Sequence, residues 1–196
     1  MKNLLVGCLL LLFSPGVTNS WVLEYDKDQI LAYARIKEGV NYYEFKTELI
    51  SDADIKQVVK VLMKVSKFKE WMPNTLESKV LKEKSSHEKI AYTLSSVPWP
   101  MSPRDLIFSM KLSYLDKNSA KIELEGLYDY IPHHKDHVRV KDYQAVWTLK
   151  SKGGKIHIGH YVSFDPDTSA SMWMIKNSMV KARVSVLEGL KAELKK

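Results

Sequence analysis

A chain of 196 residues, 45% of them apolar, has room for one domain of ordinary size and enough apolar content to bury a core. Its 30 lysines and arginines against 23 acidic residues leave a formal charge of +7, which favours anionic lipid surfaces or polyanions. The single cysteine, Cys8, falls in an N-terminal leader, so the mature chain has no thiol for disulfides, metal binding or nucleophilic catalysis.

Residues 1–20 carry Lys2, an apolar run over 4–13, Pro15 and Gly16, and the small-residue exit Thr18-Asn19-Ser20. This is the pattern of a secretory signal peptide, with cleavage expected just before Trp21. The run is too short for a permanent membrane span. Leu5-Val6-Gly7-Cys8 has the look of a bacterial lipoprotein box, but such a box follows the apolar run and this one stands near its start, so anchoring at Cys8 is not expected. The mature domain, 21–196, is expected to be soluble and periplasmic or secreted.

Residues 21–26 read as a short lead-in, and strands follow over 30–36 and 42–49 around the Gly39 turn. In the second, Tyr43, Phe45, Thr47 and Leu49 share one face. Ser51 followed by Asp54 resembles a capping box that opens a helix with Ile55, Val58, Val59 and Leu62 on its buried stripe, ending before Pro73. Phe68, Trp71 and Met72 make an aromatic connection suited to plugging one end of the core. Strands over 78–84 and 89–95 are joined by Ser85-Ser86-His87, with Ile90, Tyr92 and Leu94 on one face.

Strands over 105–114 and 121–130 repeat the alternation. Leu106, Phe108, Met110 and Leu112 face inward in one, and Ile122, Leu124, Gly126 and Tyr128 in the other, where Gly126 marks an expected bend or bulge. A last hairpin over 138–149 and 156–164 turns at Lys152-Gly153-Gly154. A change of apolar parity between Val140 and Trp147 implies another bulge, and His160 interrupts the inward set Ile156, Ile158, Val162 and Phe164. Residues 170–195 have a clean helical period, with Met172, Ile175, Met179, Ala182, Val186 and Leu190 at three- and four-residue steps. The expected fold is α+β: a curved antiparallel sheet gripping a long C-terminal helix, with a short helix after the second strand.

The most specific stretch is Val97-Pro98-Trp99-Pro100-Met101-Ser102-Pro103-Arg104-Asp105, whose three prolines force a stiff loop between two strands. Here the chain resembles the START family of lipid-transfer domains in the helix-grip superfamily, whose members share Trp-Pro-x-Ser-x-Arg-Asp at this junction. Glu44-Phe45-Lys46, Trp71-Met72-Pro73-Asn74, Trp147-Thr148-Leu149, Asp165-Pro166 and the helix from Trp173 extend the likeness over the mature chain. The resemblance implies a tunnel for one lipid or other apolar molecule, gated by Val97, Trp99, Pro100 and Met101 facing Met172, Ile175 and Met179. The expected ligand-binding set is those three helix residues with Tyr92, Leu94, Arg104, Phe108, Met110, Leu124, Tyr128, Trp147 and His160. Sterol-carrying relatives tend to place a second arginine where this chain has Met110, so a fatty, phospholipid-like or polyketide-like ligand is favoured over a sterol.

Arg104 shares parity with Leu106 and Phe108, and either meets a ligand carboxylate or phosphate at the mouth or holds the prolyl loop through carbonyls. Arg104 and Asp105 point to opposite sides of their strand and are not expected to pair. His160 is either a polar contact in the tunnel or a core histidine satisfied by a neighbour. His133, His134 and His137 have crude metal-ligand spacing on a solvated loop, and no functional metal is expected. Glu123 and Glu125 alternate outward and form no buried acid/base pair. No phosphate-cradling glycine loop, nucleophile elbow or zinc spacing occurs, and the aromatics sit mostly at inward parity, against nucleic-acid binding. The expectation is a monomeric carrier without cofactor that touches membranes transiently. The alternative is a helix-grip enzyme, cyclase- or hydrolase-like, for which His160, Tyr92, Tyr128 and Arg104 are the available set.

Overall fold

The period-two segments pair into one curved sheet, and the helical ones pack on it. The computed structural model describes residues 20–97 and 101–196, so the leader before Ser20 and the loop residues Pro98, Trp99 and Pro100 lie outside the described residues. In chain order the strands are β1 (Val22–Lys27), β2 (Ile30–Ile36), β3 (Tyr43–Ser51), β4 (Thr75–Ser85), β5 (Glu88–Ser95), β6 (Arg104–Asp116), β7 (Ser119–Gly126), β8 (Val138–Arg139), β9 (Lys141–Lys152) and β10 (Lys155–Asp165). The helices are α1 (Ile55–Met63), α2 (Phe68–Trp71) and α3 (Met172–Glu193). The sheet runs β1-β2-β3-β10-β9-β7-β6-β5-β4, and β8 adds a short parallel pair to the start of β6. No helix among the described residues is long and apolar enough to cross a membrane.

Local chemistry sets the turns. Gly153 and Gly154, at φ of +60° and +76°, supply the two left-handed residues that a two-residue hairpin between β9 and β10 needs. Asp54, not Ser51, caps α1: its carboxylate accepts from Gln57 N at 2.8 Å, and the Gln57 side chain accepts from Asp54 N at 2.8 Å. Phe68 and Trp71 are buried edge to face with ring centroids 5.5 Å apart, and close one end of the core as expected.

Several expectations shift. The lead-in is a strand, because Val22 to Lys27 finds β2 to pair with, so the first helix follows the third strand and not the second. The segment over 138–149 is broken at Val140, whose N–H donates to the Asp105 carbonyl at 2.9 Å and leaves β8 beside β6. The expected bulge is present, between Ser163 and Asp165 on β10 and opposite Asp142, which adopts φ of +49°. Gly126 makes no bulge; a Cβ there would lie 3.1 Å from the Tyr143 Cβ, so the missing side chain makes room for a tyrosine. The strand over 121–130 stops at Gly126, and the chain continues as a loop over the convex face.

That loop is pinned by a buried ion pair. Arg139 Nε and Nη2 donate to the two Asp105 carboxylate oxygens at 2.9 and 2.8 Å, and the same guanidinium donates to the carbonyls of Tyr128, Ile131 and Pro132. Asp105 therefore pairs across the sheet and not with Arg104. Beneath the loop, Ile90, Tyr92 and Ile107 form a second apolar cluster with Leu81, Leu94, Leu127 and Ile131.

α3 lies against β1, β2, β3 and α2. Its buried residues are Val180, Val184, Val186, Leu187 and Leu190, whereas Ala182, expected on the stripe, is only half-buried. Gly189 sets the approach to α2, since a Cβ there would stand 2.0 Å from the Trp71 carbonyl oxygen. The edge strand β4 departs from regular register at three places along its length and exposes Lys79, Lys82 and Lys84.

Two stability outcomes follow from these contacts. Gly189→Ala should lower stability by about 1–3 kcal/mol through overpacking, in spite of the better helix propensity of alanine; an unchanged urea midpoint would show that α3 sits farther from Trp71. Asp105→Ala strands a buried guanidinium and should cost about 3–5 kcal/mol by the same measurement.

Candidate functional site

The strand register carries one row of side chains across the concave face. Thr47 on β3 faces His160 on β10, His160 faces Trp147 on β9, Trp147 faces Ile122 on β7, and Ile122 faces Leu112 on β6. All five are buried. The His160 ring lies flat on the Trp147 indole, with centroids 3.8 Å apart and planes 8° from parallel. A parallel aromatic line runs from Phe108 to Tyr143 to Phe164, each step 6.4 Å between centroids.

α3 brings a charge to this face. Arg183 follows Met179 by one helical turn and precedes Leu187 by another, so it belongs to the inward line. Burial lowers the pKa of its guanidinium, and the neighbouring Tyr143 acts in the opposite sense. Burial likewise raises the Tyr143 hydroxyl. His160 is held well below the ordinary histidine value, by burial first and by the Arg183 charge second, and is therefore neutral. Three polar atoms here, Thr47 Oγ1, His160 Nδ1 and Arg183 Nε, are buried without a hydrogen-bond partner. Such groups are uncommon in folded proteins, and each one needs a physical reason.

Of the ligand-binding residues expected from sequence, Phe108, Met110, Leu124 and Trp147 lie in the main core cluster, and His160 stacks on the last of these. Met179 packs against the same cluster, and Met172 and Ile175 are half-buried at the start of α3. Tyr92 and Leu94 do not belong with them. They sit in the second cluster on the convex face, because β5 is buried on both sides and alternation alone cannot say which side meets α3. Tyr128 is also displaced, into the pinned loop, where its ring meets His133 edge-on at 4.7 Å. The enzyme set read from sequence is thereby dispersed.

Arg104 is half-buried, with no hydrogen bond or ion pair to its side chain among the described residues. It lines a crevice of about 20 Å³ with Val138, Arg139, Val140, Phe164 and Asp165, enough for about one water. Of the expected gate, Val97 is half-buried and Met101 exposed, while Trp99 and Pro100 lie outside the described residues. The exposed apolar groups on α3 are Trp173 and Met174, at 68% and 57%. His134 and His137 stack on each other at 4.3 Å, and no metal-holding cluster occurs among the described residues. A separate surface cleft of about 310 Å³ lies among α1, α2 and the C-terminus, but two of its lysines, Lys67 and Lys196, are paired with Glu70 and Glu193.

Arg183, Tyr143 and Thr47 are the site residues that the sequence reading missed. The signal was present for the first: an arginine spaced in step with Met179 and Leu190. Counting arginine as polar drew the stripe through Ala182 instead.

A curved sheet closed by a long terminal helix, with its polar groups turned inward, is a helix-grip fold built around its own interior. The chain belongs to the START domain family, whose sequence profile matches residues 16–117. A STAR-related lipid transfer protein from Xanthomonas axonopodis is 28% identical and superposes with a TM-score of 0.83 over 90% of this chain and 99% of that one. Human StAR-related lipid transfer protein 5, at 12% identity and a TM-score of 0.77, covers 91% of this chain and 88% of its own, and shares the fold. An uncharacterized protein of Pseudomonas aeruginosa is 24% identical over 182 residues, 92% of this chain and 90% of the relative.

The neutral histidine makes stability depend on pH. The unfolded chain takes up a proton near pH 6.5 that the folded site refuses, so stability falls as pH drops below that value, by at most about 1.4 kcal/mol per unit for one group. His160→Phe keeps the stack and removes the proton site. Its urea midpoint should fall less steeply than that of the wild type between pH 7 and 5; equal slopes would mean that folded His160 binds a proton.

Proposed function

We propose that this chain holds one lipid or other hydrophobic molecule between the concave face and α3, shields it from water, and passes it between membranes as a monomer. The observation that carries the reading is that three polar atoms of the concave face and of α3, Thr47 Oγ1, His160 Nδ1 and Arg183 Nε, are buried with no hydrogen-bond partner among the described residues. Family membership supports the same reading, as does the printed name of the Xanthomonas relative. Met110, buried at 1% exposure where sterol-carrying relatives have arginine, favours an acyl or polyketide-like ligand. The secretory pattern read in the sequence over residues 1–20 supports a periplasmic or extracellular location for this work.

Energetics define the task. Each buried methylene is worth about 0.8 kcal/mol, and a bilayer offers nearly the same, so extraction is close to neutral and the protein must lower a barrier. Trp173 and Met174 at the start of α3, with Met101 on the prolyl loop, are apolar groups suited to dipping into a lipid surface under a net positive charge. Native mass spectrometry of protein taken from its own host should show one bound hydrophobic molecule per chain. Empty protein that also takes up no lipid from vesicles would overturn the reading.

A second reading rests on the neutral His160, with Arg183 as its charged neighbour, as the acid/base group of a helix-grip enzyme. Turnover lost in His160→Ala with ligand binding retained would favour it.

The rim makes its own prediction. Trp173→Ser with Met174→Ser should slow lipid uptake from anionic vesicles about tenfold or more, since each apolar side chain contributes about 1.5–3 kcal/mol when buried, and leave thermal stability unchanged. Equal uptake rates would remove α3 from the docking surface.

A further inference from the structure

Arg183 is a half-buried cation without an anion, its Nε wholly covered. Among the described residues no carboxylate pairs with it and no group accepts a hydrogen bond from its guanidinium. The two buried acids among the described residues are engaged elsewhere: Glu44 takes Arg35 and Tyr161 on the outer face, and Asp105 takes Arg139 on the convex side. A guanidinium removed from water is costly unless a partner answers it, and its planar fork matches the two oxygens of a carboxylate or phosphate. The groups beside it are not acidic. His160 and Thr47 are cross-strand neighbours, 4% and 1% exposed, each with a polar atom that has no partner. The Thr47 hydroxyl can donate, and a neutral imidazole can donate from either nitrogen.

We propose that Arg183, Thr47 and His160 form a head-group site for an oxyanion, so that the carried molecule is an acidic amphiphile bound with its head inside. This rests on the carrier reading and sharpens it. Arg183 lies eleven residues into α3 from Met172, roughly 16 Å at 1.5 Å per residue. The head then sits deep, and the chain runs back along Met179, Ile175 and Met172 toward the exposed start of the helix. A neutral alcohol or ester of the same length would fill the apolar part equally well and leave the guanidinium unanswered. Discrimination by head charge is the consequence.

The test uses delipidated full-domain protein and four probes with a sixteen-carbon chain: palmitate, hexadecanol, palmitoyl lysophosphatidate and monopalmitoylglycerol. Wild type should bind palmitate or lysophosphatidate at least tenfold more tightly than hexadecanol and monopalmitoylglycerol, and the better of the two acids tells carboxylate from phosphate. In Arg183→Gln that preference should collapse to within threefold, with hexadecanol affinity retained. Arg183→Met serves as a second variant should glutamine unfold the protein. If wild type binds hexadecanol as well as either acid, or if both variants keep the preference, the head-group site is wrong and the carrier reading stands. If no probe binds, the carrier reading falls first.

Discussion

The structure depends on how closely α3 can lie in the hollow of the sheet. That distance is set where Gly189 meets the Trp71 carbonyl, a contact with no room for a side chain. Trp71 is itself fixed by Phe68 and by burial, so the end of α3 rests on a rigid seat. From there the helix runs along β2 and β3, and its other end carries Met172 to Met174, half-buried to exposed. One end of the helix is anchored and the other is accessible.

The interior combines two environments that usually exclude each other. Most of it is ordinary core: Phe108, Met110, Leu124, Ile122 and Leu149 are all buried in one cluster. Within it sits a patch of Arg183, His160, Tyr143 and Thr47 whose polar capacity is largely unspent. A protein optimised only for stability would replace such a patch with apolar residues, often at a gain. Its presence in the wall, next to a tryptophan on which the histidine lies flat, is the strongest argument that this face meets something other than protein.

The sequence was most legible where one physical rule acted alone. Alternation gave β2, β3 and β10 nearly to the residue, because each is covered mainly on one face, and the prolyl motif gave the family. Tyr92 and Leu94 were misplaced because β5 is covered on both sides, so alternation loses its reference. Tyr128 was misplaced because the strand ends at Gly126, and the cause of that ending, the Arg139 clamp, lies in residues far along the chain. Arg183 was missed for a third reason. A charge on an amphipathic helix is ordinarily solvated, and only tertiary structure reveals that this one points the other way.

The sheet is open, and an open sheet invites a neighbour to add a strand. On β4 the three breaks in register and the exposed lysines, two of them paired with Glu77 and Glu88, make the last rung uneven and strongly hydrated. Self-templated fibre growth is therefore discouraged at the edge itself. The safeguard against aggregation is thus written into the edge strand itself and needs no covering partner.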